Sequence, residues 1–436
     1  MQDWGQLIEF DPSRVLQPTS LDDLKVMLEQ AHARGERIRV PGSLHSCSEL
    51  VVSDTLLDTS ALPKAIAVAD DGVEATANTT LHDFLEELSK HGRSATATGG
   101  VDHQTLAGLI STGTAPASSR HGLWETLDWV ELVTVDASGN ALERRIERGD
   151  PDWPAVVCSL GLIGVLTKVG MSTVEERYFD TVLEAVELDD VMQDLDATSG
   201  RYDFWRVNWV PKSDKALLWA ATQVDKASSK PDGDYPKDQV EHILDWVMGA
   251  MDKLADTGPL LSKPLEIVYD VMALVYRPSH NTGPLRNMLP VDRRAPVRVA
   301  MAEWSFHPDD LHRVLGECHD YFGKQGWPNI PTEIELTKTD GALMSPWNWP
   351  GTPYVVKFNW MYLTEVCTKP GEKEQIYAHL RGLWEHLRSE GVPFKAHWAK
   401  VNFIDPDFVR QHHDYDGFRP LIAPIFMNDH LEGRLP

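Results

Sequence analysis

Between residues 96 and 122 the chain reads TATGGVDHQTLAGLISTGTAPASSRHG, a loop dense in glycine, threonine and serine. Backbone N–H groups and hydroxyls crowded in this way suit contacts to a large polar cofactor, so the fold has to hold a long polar loop against a ligand. A shorter loop comes earlier. The strand RIRV runs into PGSLHS at 41 to 46, where Gly42 permits close backbone approach and successive N–H groups can form an anion-binding nest. Neither loop has the GxGxxG or GxxxxGK[ST] spacing, which leaves a Rossmann dinucleotide site and a triphosphatase P-loop unsupported.

A chain of 436 residues is too long for one ordinary core and predicts two or three domains, with room for a cleft between them. LDDLKVMLEQAHARG places Leu21, Leu24, Leu28 and Ala31 at helical spacing. TLLDTS and GVEATA read as strands, TLHDFLEELSKHG as a helix capped by Thr79 or Thr80, and WVELVTVDASGNALERR as a hairpin. SLGLIGVLTKVGMSTVEE reads as a glycine-interrupted buried strand leaving the first domain near residue 178. Beyond it, DKASSKPDGDYPKD reads as an exposed loop. VRVAMAEWSF, TEIEL and YVVKFNW alternate like strands of an antiparallel sheet, with DLHRVLGECHDYF a helix against one face. The predicted class is α+β.

The formal net charge of −25, from 66 acidic and 41 basic side chains, argues against nucleic acid as a partner. No basic start leads into an apolar run, and no stretch approaches the roughly 20 apolar residues of a membrane span, so a cytoplasmic location with no membrane contact is expected. The four cysteines lack CxxC spacing; no metal site is expected, and free thiols are.

The motifs together carry a resemblance. PGSLHSCSEL resembles the histidine loop of the vanillyl-alcohol-oxidase flavoprotein family, and TGGVDHQTLAGLISTGT its flavin-facing loop, in the form found in the aldonolactone and alditol oxidase branch. SLGLIGVLT at 159 to 167, HWAK at 397 to 400 (HWGK in that branch) and the ending PIFMNDHLEGRL follow in the same order. The likeness is strong over roughly 13 to 178 and 330 to 436 and thin between.

The resemblance implies an FAD-binding domain of two subdomains over 1 to 178, a substrate-binding cap with an antiparallel sheet flanked by helices over 179 to 395, and a C-terminal segment, 396 to 436, returning to the FAD domain. It implies FAD covalently linked to His45 through the flavin 8α-methyl carbon. Such a link draws electron density from the ring. A rise of about 100 mV in a two-electron couple corresponds to about 4.6 kcal/mol, enough to decide whether an unactivated alcohol is oxidised. The implied cradle comprises Pro41, Gly42, Ser43, Leu44, His45 and Ser46, then Gly99, Gly100, Asp102, His103, Thr105, Gly108, Ser111, Thr112 and Gly113, then Ile163, Gly164 and Val165, with Lys400 beside the flavin. Cys47, adjacent to the histidine, is read as a small buried side chain and not a second link.

Gly99 and Gly100 match the pair lying over the flavin, and the absent side chain at Gly99 implies a passage for oxygen. Lys400 implies a cation for charge developing on the flavin. Glu333 matches the first member of the family's Glu-x-Arg pair, but Glu335 stands where the arginine belongs, so two carboxylates share one strand face. Lys357, where alditol oxidases have histidine, is expected to partner Lys400 or offset Glu335. Ser345 is a further cavity residue, and Trp205 and Trp209 are read as core.

The implied reaction is hydride transfer from the CH–OH group of a small polyhydroxylated alcohol or aldonolactone to flavin N5, with Lys400, Lys357 or Glu333 taking the hydroxyl proton and molecular oxygen reduced to hydrogen peroxide. Three alternatives stay open: a dehydrogenase of the same fold with a quinone or cytochrome acceptor; an oxidase of an amine or biosynthetic intermediate, which Glu335 suggests; and a non-catalytic FAD-binding or storage protein with a degenerate site.

Overall fold

Two antiparallel sheets dominate the chain, and their strands alternate as the apolar pattern predicts. A computed structural model describes residues 1–228, 258–267, 269, 278–288 and 298–436; most of the expected polar loop DKASSKPDGDYPKD lies outside them. In the first part, Ser20 accepts a hydrogen bond from Asp23 N and starts the Leu21–Ala33 helix, which buries Leu24, Leu28 and Ala31. Leu21 stays 40% exposed because it sits at the very start of the helix. Thr80 caps the Leu81–Lys90 helix, and Thr105 caps the short Leu106–Thr112 helix, which Gly113 ends at φ +71°.

The strands Arg14–Leu16 and Ile38–Arg39 pair parallel to either side of Thr55–Leu57. A second sheet of five strands carries the expected hairpin, Leu127–Val135 against Ala141–Glu147, beside Val165–Ser172 and Gly72–Thr76. One expectation is corrected. The strand begins at Val165, whereas residues 159 to 164 form a loop, because Leu160, Gly161 and Gly164 adopt positive φ.

From Tyr178 to Ala396 the described chain builds an eight-stranded antiparallel sheet. Four of its strands lie side by side in the order Phe204–Trp209, Thr332–Lys338, Tyr354–Leu363 and Val299–Phe306. Side chains alternate between faces. Trp205, Val207, Ile334, Leu336, Phe358, Trp360, Trp304 and Phe306 join the apolar core, where the Leu311–Gln325 and Glu372–Ser389 helices bury their own apolar residues. Trp205 and Trp209 are core residues, 1% and 4% exposed. The opposite face, with Arg206, Asn208, Glu333, Glu335, Lys357, Asn359 and Glu303, looks into a cavity.

After the edge strand Lys395–Ala396 the chain crosses back to the histidine loop. Cys47 N donates to Ala399 O at 2.7 Å, Ser48 Oγ to Trp398 O at 2.8 Å, and Asn428 Nδ2 to Val52 O at 2.9 Å. These bonds set residues 397 to 400 beside His45. No described helix is long and apolar enough to cross a membrane.

Candidate active site

One cavity of about 840 Å³ runs between the loops of the first part and the polar face of the eight-stranded sheet. Its size is that of a cofactor or ligand site. Gly42 is required where the two loops meet, since a Cβ there would lie 2.8 Å from Thr105 Oγ1. Ser43 donates its hydroxyl to His103 O, and Leu44 holds φ +56°, which turns the chain into His45.

His45 Nδ1 meets His103 Nε2 at 3.1 Å, and the Trp4 ring lies 4.6 Å away, centre to centre. Burial, then Lys400, His103 and Arg298, push the His45 pKa down to about 2. The imidazole is therefore neutral, with a nitrogen lone pair in the cavity wall, which is what bond formation to an electrophilic carbon requires.

Pro41 to Ser46, Gly99, Gly100, Thr105, Gly108, Ser111, Thr112, Gly164 and Val165 line the cavity, as do Lys400, Glu333, Glu335 and Lys357. The other four cradle residues stand behind it. Asp102 pairs with His82 Nδ1 at 3.1 Å, His103 holds His45, Gly113 ends a helix, and Ile163 is 3% exposed in the core. Ser345 is structural: fully buried, its hydroxyl donates to Asp340 Oδ2 at 2.7 Å. Cys47 is likewise a buried free thiol, its Sγ 3.8 Å from Val299 O.

The wall fits a flavin dinucleotide on its own terms. Gly164 allows the backbone to pass where a Cβ would lie 2.8 Å from Val133 O. Thr98 Oγ1, also in the wall, is buried with no hydrogen-bond partner among the described residues. Glycines and unspent hydroxyls of this kind suit a large polar cofactor.

At Gly99 the space that a side chain would take is already occupied. A Cβ at Gly99 would lie 2.4 Å from Thr114 Cγ2 and 3.1 Å from Gln104 Nε2, so neighbouring side chains already fill the slot. The glycine is there for packing.

The sheet face supplies a belt of charge. Lys357 Nζ lies 2.7 Å from Glu335 Oε2 and 3.5 Å from Glu303 Oε1, with Glu335 opposite Lys357 in the strand register. Burial disfavours the Lys357 cation, but Glu335 and Glu303 outweigh it and the ammonium is held protonated. One cation cannot satisfy two buried carboxylates equally. Burial raises the Glu335 pKa with Lys357 offsetting only part, whereas for Glu303 the same penalty is overcome by Lys357, His397 and Lys400 together.

Arg206 stands opposite Glu335, but its Nη1 reaches Glu333 Oε1 at 2.7 Å, and Asn359 Nδ2 donates to Glu333 Oε2 at 3.2 Å. The arginine missing from position 335 is thus matched by one on the neighbouring strand. Arg206, Glu303, Asn359 and Trp4 escaped the sequence reading. The first three sit at alternating positions of strands facing Glu333 and Glu335, a signal readable only once the register is known.

Lys400 makes no ion pair among the described residues, and its place is set by the turn that carries it. His397 Nδ1 accepts from Ala399 N at 3.1 Å, Lys400 N donates to His397 O at 3.2 Å, and Asn402 Nδ2 donates to Lys400 O at 2.9 Å. Burial lowers the His397 pKa to about 4, so this ring is a neutral support.

Two family models match the chain: one described as FAD binding domain over residues 12–143, and one described as D-arabinono-1,4-lactone oxidase over residues 169–421. An L-gulonolactone oxidase of Scyliorhinus torazame is 22% identical over 99% of this chain and 97% of its own length. A D-arabinono-1,4-lactone oxidase of Yarrowia lipolytica is 27% identical over 52% of this chain, and the match spans 44% of that protein. Among solved structures, a cholesterol oxidase from Brevibacterium sterolicum superimposes with a TM-score of 0.79 at 15% identity, covering 100% of this chain and 96% of that one, a likeness of fold.

Proposed function

From the premise that this chain belongs to the D-arabinono-1,4-lactone oxidase family and is an FAD-dependent oxidoreductase, we propose that it oxidises a small aldonolactone or related polyol with FAD bonded covalently to His45. Oxygen is the proposed acceptor. The carrying observation is the single cavity that runs from neutral His45, past Lys400, to the charged belt of Glu333, Glu335 and Lys357. FAD held in this cavity would supply the hydride acceptor, and its reoxidation by oxygen would yield hydrogen peroxide.

The chain's own residues divide the remaining work. Lys357 is a fixed cation and not a base, since two carboxylates hold its proton. Both oxygens of Glu333 are engaged, by Arg206 and Asn359. In this reading Lys400, which lines the cavity unpaired among the described residues, is the cation that stabilises negative charge developing on the substrate oxygen, while the hydroxyl proton leaves to water. The belt presents acceptors to hydroxyl groups, which suits a neutral polyhydroxylated ring. A cytoplasmic location fits four cysteines that are all free thiols.

The test is a set of aerobic peroxide assays on aldonolactones, alditols and amines, with flavin bleaching followed under argon. Bleaching by a lactone or polyol with peroxide near one equivalent is expected; bleaching by amines alone would overturn the substrate class. The side chains filling the slot at Gly99 favour a second reading, a dehydrogenase with a quinone or cytochrome acceptor, for which bleaching occurs but peroxide under air stays low.

A further inference from the structure

The polar face of the sheet contains one acceptor that the fold leaves unused. Asn359 is 5% exposed and lines the cavity, and its Oδ1 is buried with no hydrogen-bond partner among the described residues. Buried amide oxygens are rarely left so, and those that are call for an explanation.

The orientation of this amide follows from its neighbours. Glu333 Oε2 lies 3.2 Å from Nδ2, and a carboxylate only accepts, so the NH₂ end must face it. Arg206 Nη1, 2.7 Å from Glu333 Oε1, fixes that carboxylate in turn. Register places Asn359 between Glu333 on one strand and Glu303 on the other, so the amide cannot turn its oxygen toward either neighbour without setting acceptor against acceptor. Among the described residues Oδ1 is locked as an acceptor with no donor.

We propose that Asn359 is a specificity-determining residue that accepts a hydrogen bond from one hydroxyl of the substrate, with Glu333 and Arg206 as the positioning residues that aim it. This deepens the reading of a polyhydroxylated lactone as substrate and rests on it. The group recognised is a neutral hydroxyl donor. A ligand that offers a carbonyl or carboxylate oxygen at this place meets an acceptor and is rejected.

The experiment pairs the holoenzyme and its Asn359→Leu variant with a turned-over lactone and the series of its single-deoxy analogues. In the native enzyme, removal of one particular hydroxyl lowers kcat/KM about tenfold, the scale of one neutral hydrogen bond. In Asn359→Leu that same analogue and the parent lactone are used equally well, while penalties at the other hydroxyls persist. Asn359→Ser, whose hydroxyl can donate to Glu333 while its oxygen still accepts, restores part of the discrimination. Flavin content and thermal midpoint of each variant are measured alongside, and Asn359→Ala takes the place of the leucine variant if the latter does not accumulate. If every deoxy penalty survives unchanged in both the leucine or alanine variant and the native enzyme, Asn359 does not read a hydroxyl. Failure of the native enzyme to turn over any lactone or polyol is a separate result, which overturns the proposed reaction itself.

Discussion

Arg206 lies opposite Glu335 across two paired strands, yet its guanidinium bonds Glu333, two residues away, at 2.7 Å. The diagonal leaves Glu335 to Lys357. Replacing Arg206 by methionine strands Glu333 in a wall where both side chains of the pair are less than a fifth exposed. A loss of about 2–3 kcal/mol in unfolding free energy is expected. Denaturation of Arg206→Met, Glu333→Gln and the double variant supplies the cycle. The double variant should recover part of the loss; strict additivity would show that the pair does not interact.

Lys357 presents the opposite case, one cation between two carboxylates. With Lys357→Met, Glu335 and Glu303 are left buried in the cavity wall without that cation, at an expected cost of about 3–5 kcal/mol near neutral pH. Glu335 already has a raised pKa, and removing the ammonium raises it further. A carboxyl with a raised folded pKa favours folding while protonated and loses that contribution as pH rises through the pKa. The deficit of Lys357→Met should therefore shrink toward acid and widen toward neutrality. Thermal midpoints of both proteins between pH 5 and pH 8 decide it, and a deficit independent of pH would remove the carboxylates from the explanation.

Much of this was legible in the chain, and the reasons are local. The cradle loops at 41 to 46 and 96 to 114 are continuous in sequence, so glycine and hydroxyl content exposes them directly. Alternation in YVVKFNW and TEIEL is likewise a property of neighbours along one strand. SLGLIG misled because its apolar content hides the positive φ of Leu160 and Gly161, which no hydrophobic pattern encodes. Arg206 and Glu333 are 127 residues apart and meet only through register. The meaning of Gly99 depended on Thr114, packed against it from farther along the same loop.

That packing makes its own prediction. Gly99→Ala drives a methyl to 2.4 Å from Thr114 Cγ2, so the loop must shift. Lower thermal stability and a lower flavin content after loading are expected, at about 1–3 kcal/mol for the overpacking. Gly99→Ala with Thr114→Ser, which removes the offending methyl, should recover most of the loss. If the single variant retains full stability and only its oxygen rate falls, the slot does conduct oxygen.

The proposed covalent bond is checked most simply at His45. Acid precipitation of the holoenzyme should leave the yellow colour in the pellet, and His45→Ala should release all of it to the supernatant. A His45→Ala pellet that remains yellow would place the attachment elsewhere. His103→Ala removes the ring 3.1 Å from Nδ1 and should slow attachment during loading with added FAD, measured as the fraction of flavin that survives precipitation over time.

Acid should weaken the fold well above the carboxylate range, because several histidines are buried as neutral rings. Burial lowers the pKa of His379, His397, His121 and His412 to about 4 each. An unfolded histidine titrates near 6.5, so below that pH the unfolded chain takes up protons that the folded one refuses. Stability is complete above the unfolded value and declines as pH falls toward the folded one. His379 tests this away from the cavity, since it sits in the core with its Nδ1 2.7 Å from the Tyr362 hydroxyl. Its share of the decline between pH 7.5 and pH 5 is about 2 kcal/mol. His379→Gln cannot titrate, so it should start less stable than the native protein at pH 7.5 and close most of that gap by pH 5. Parallel curves of stability against pH for the two proteins would mean that His379 is protonated alike in both states.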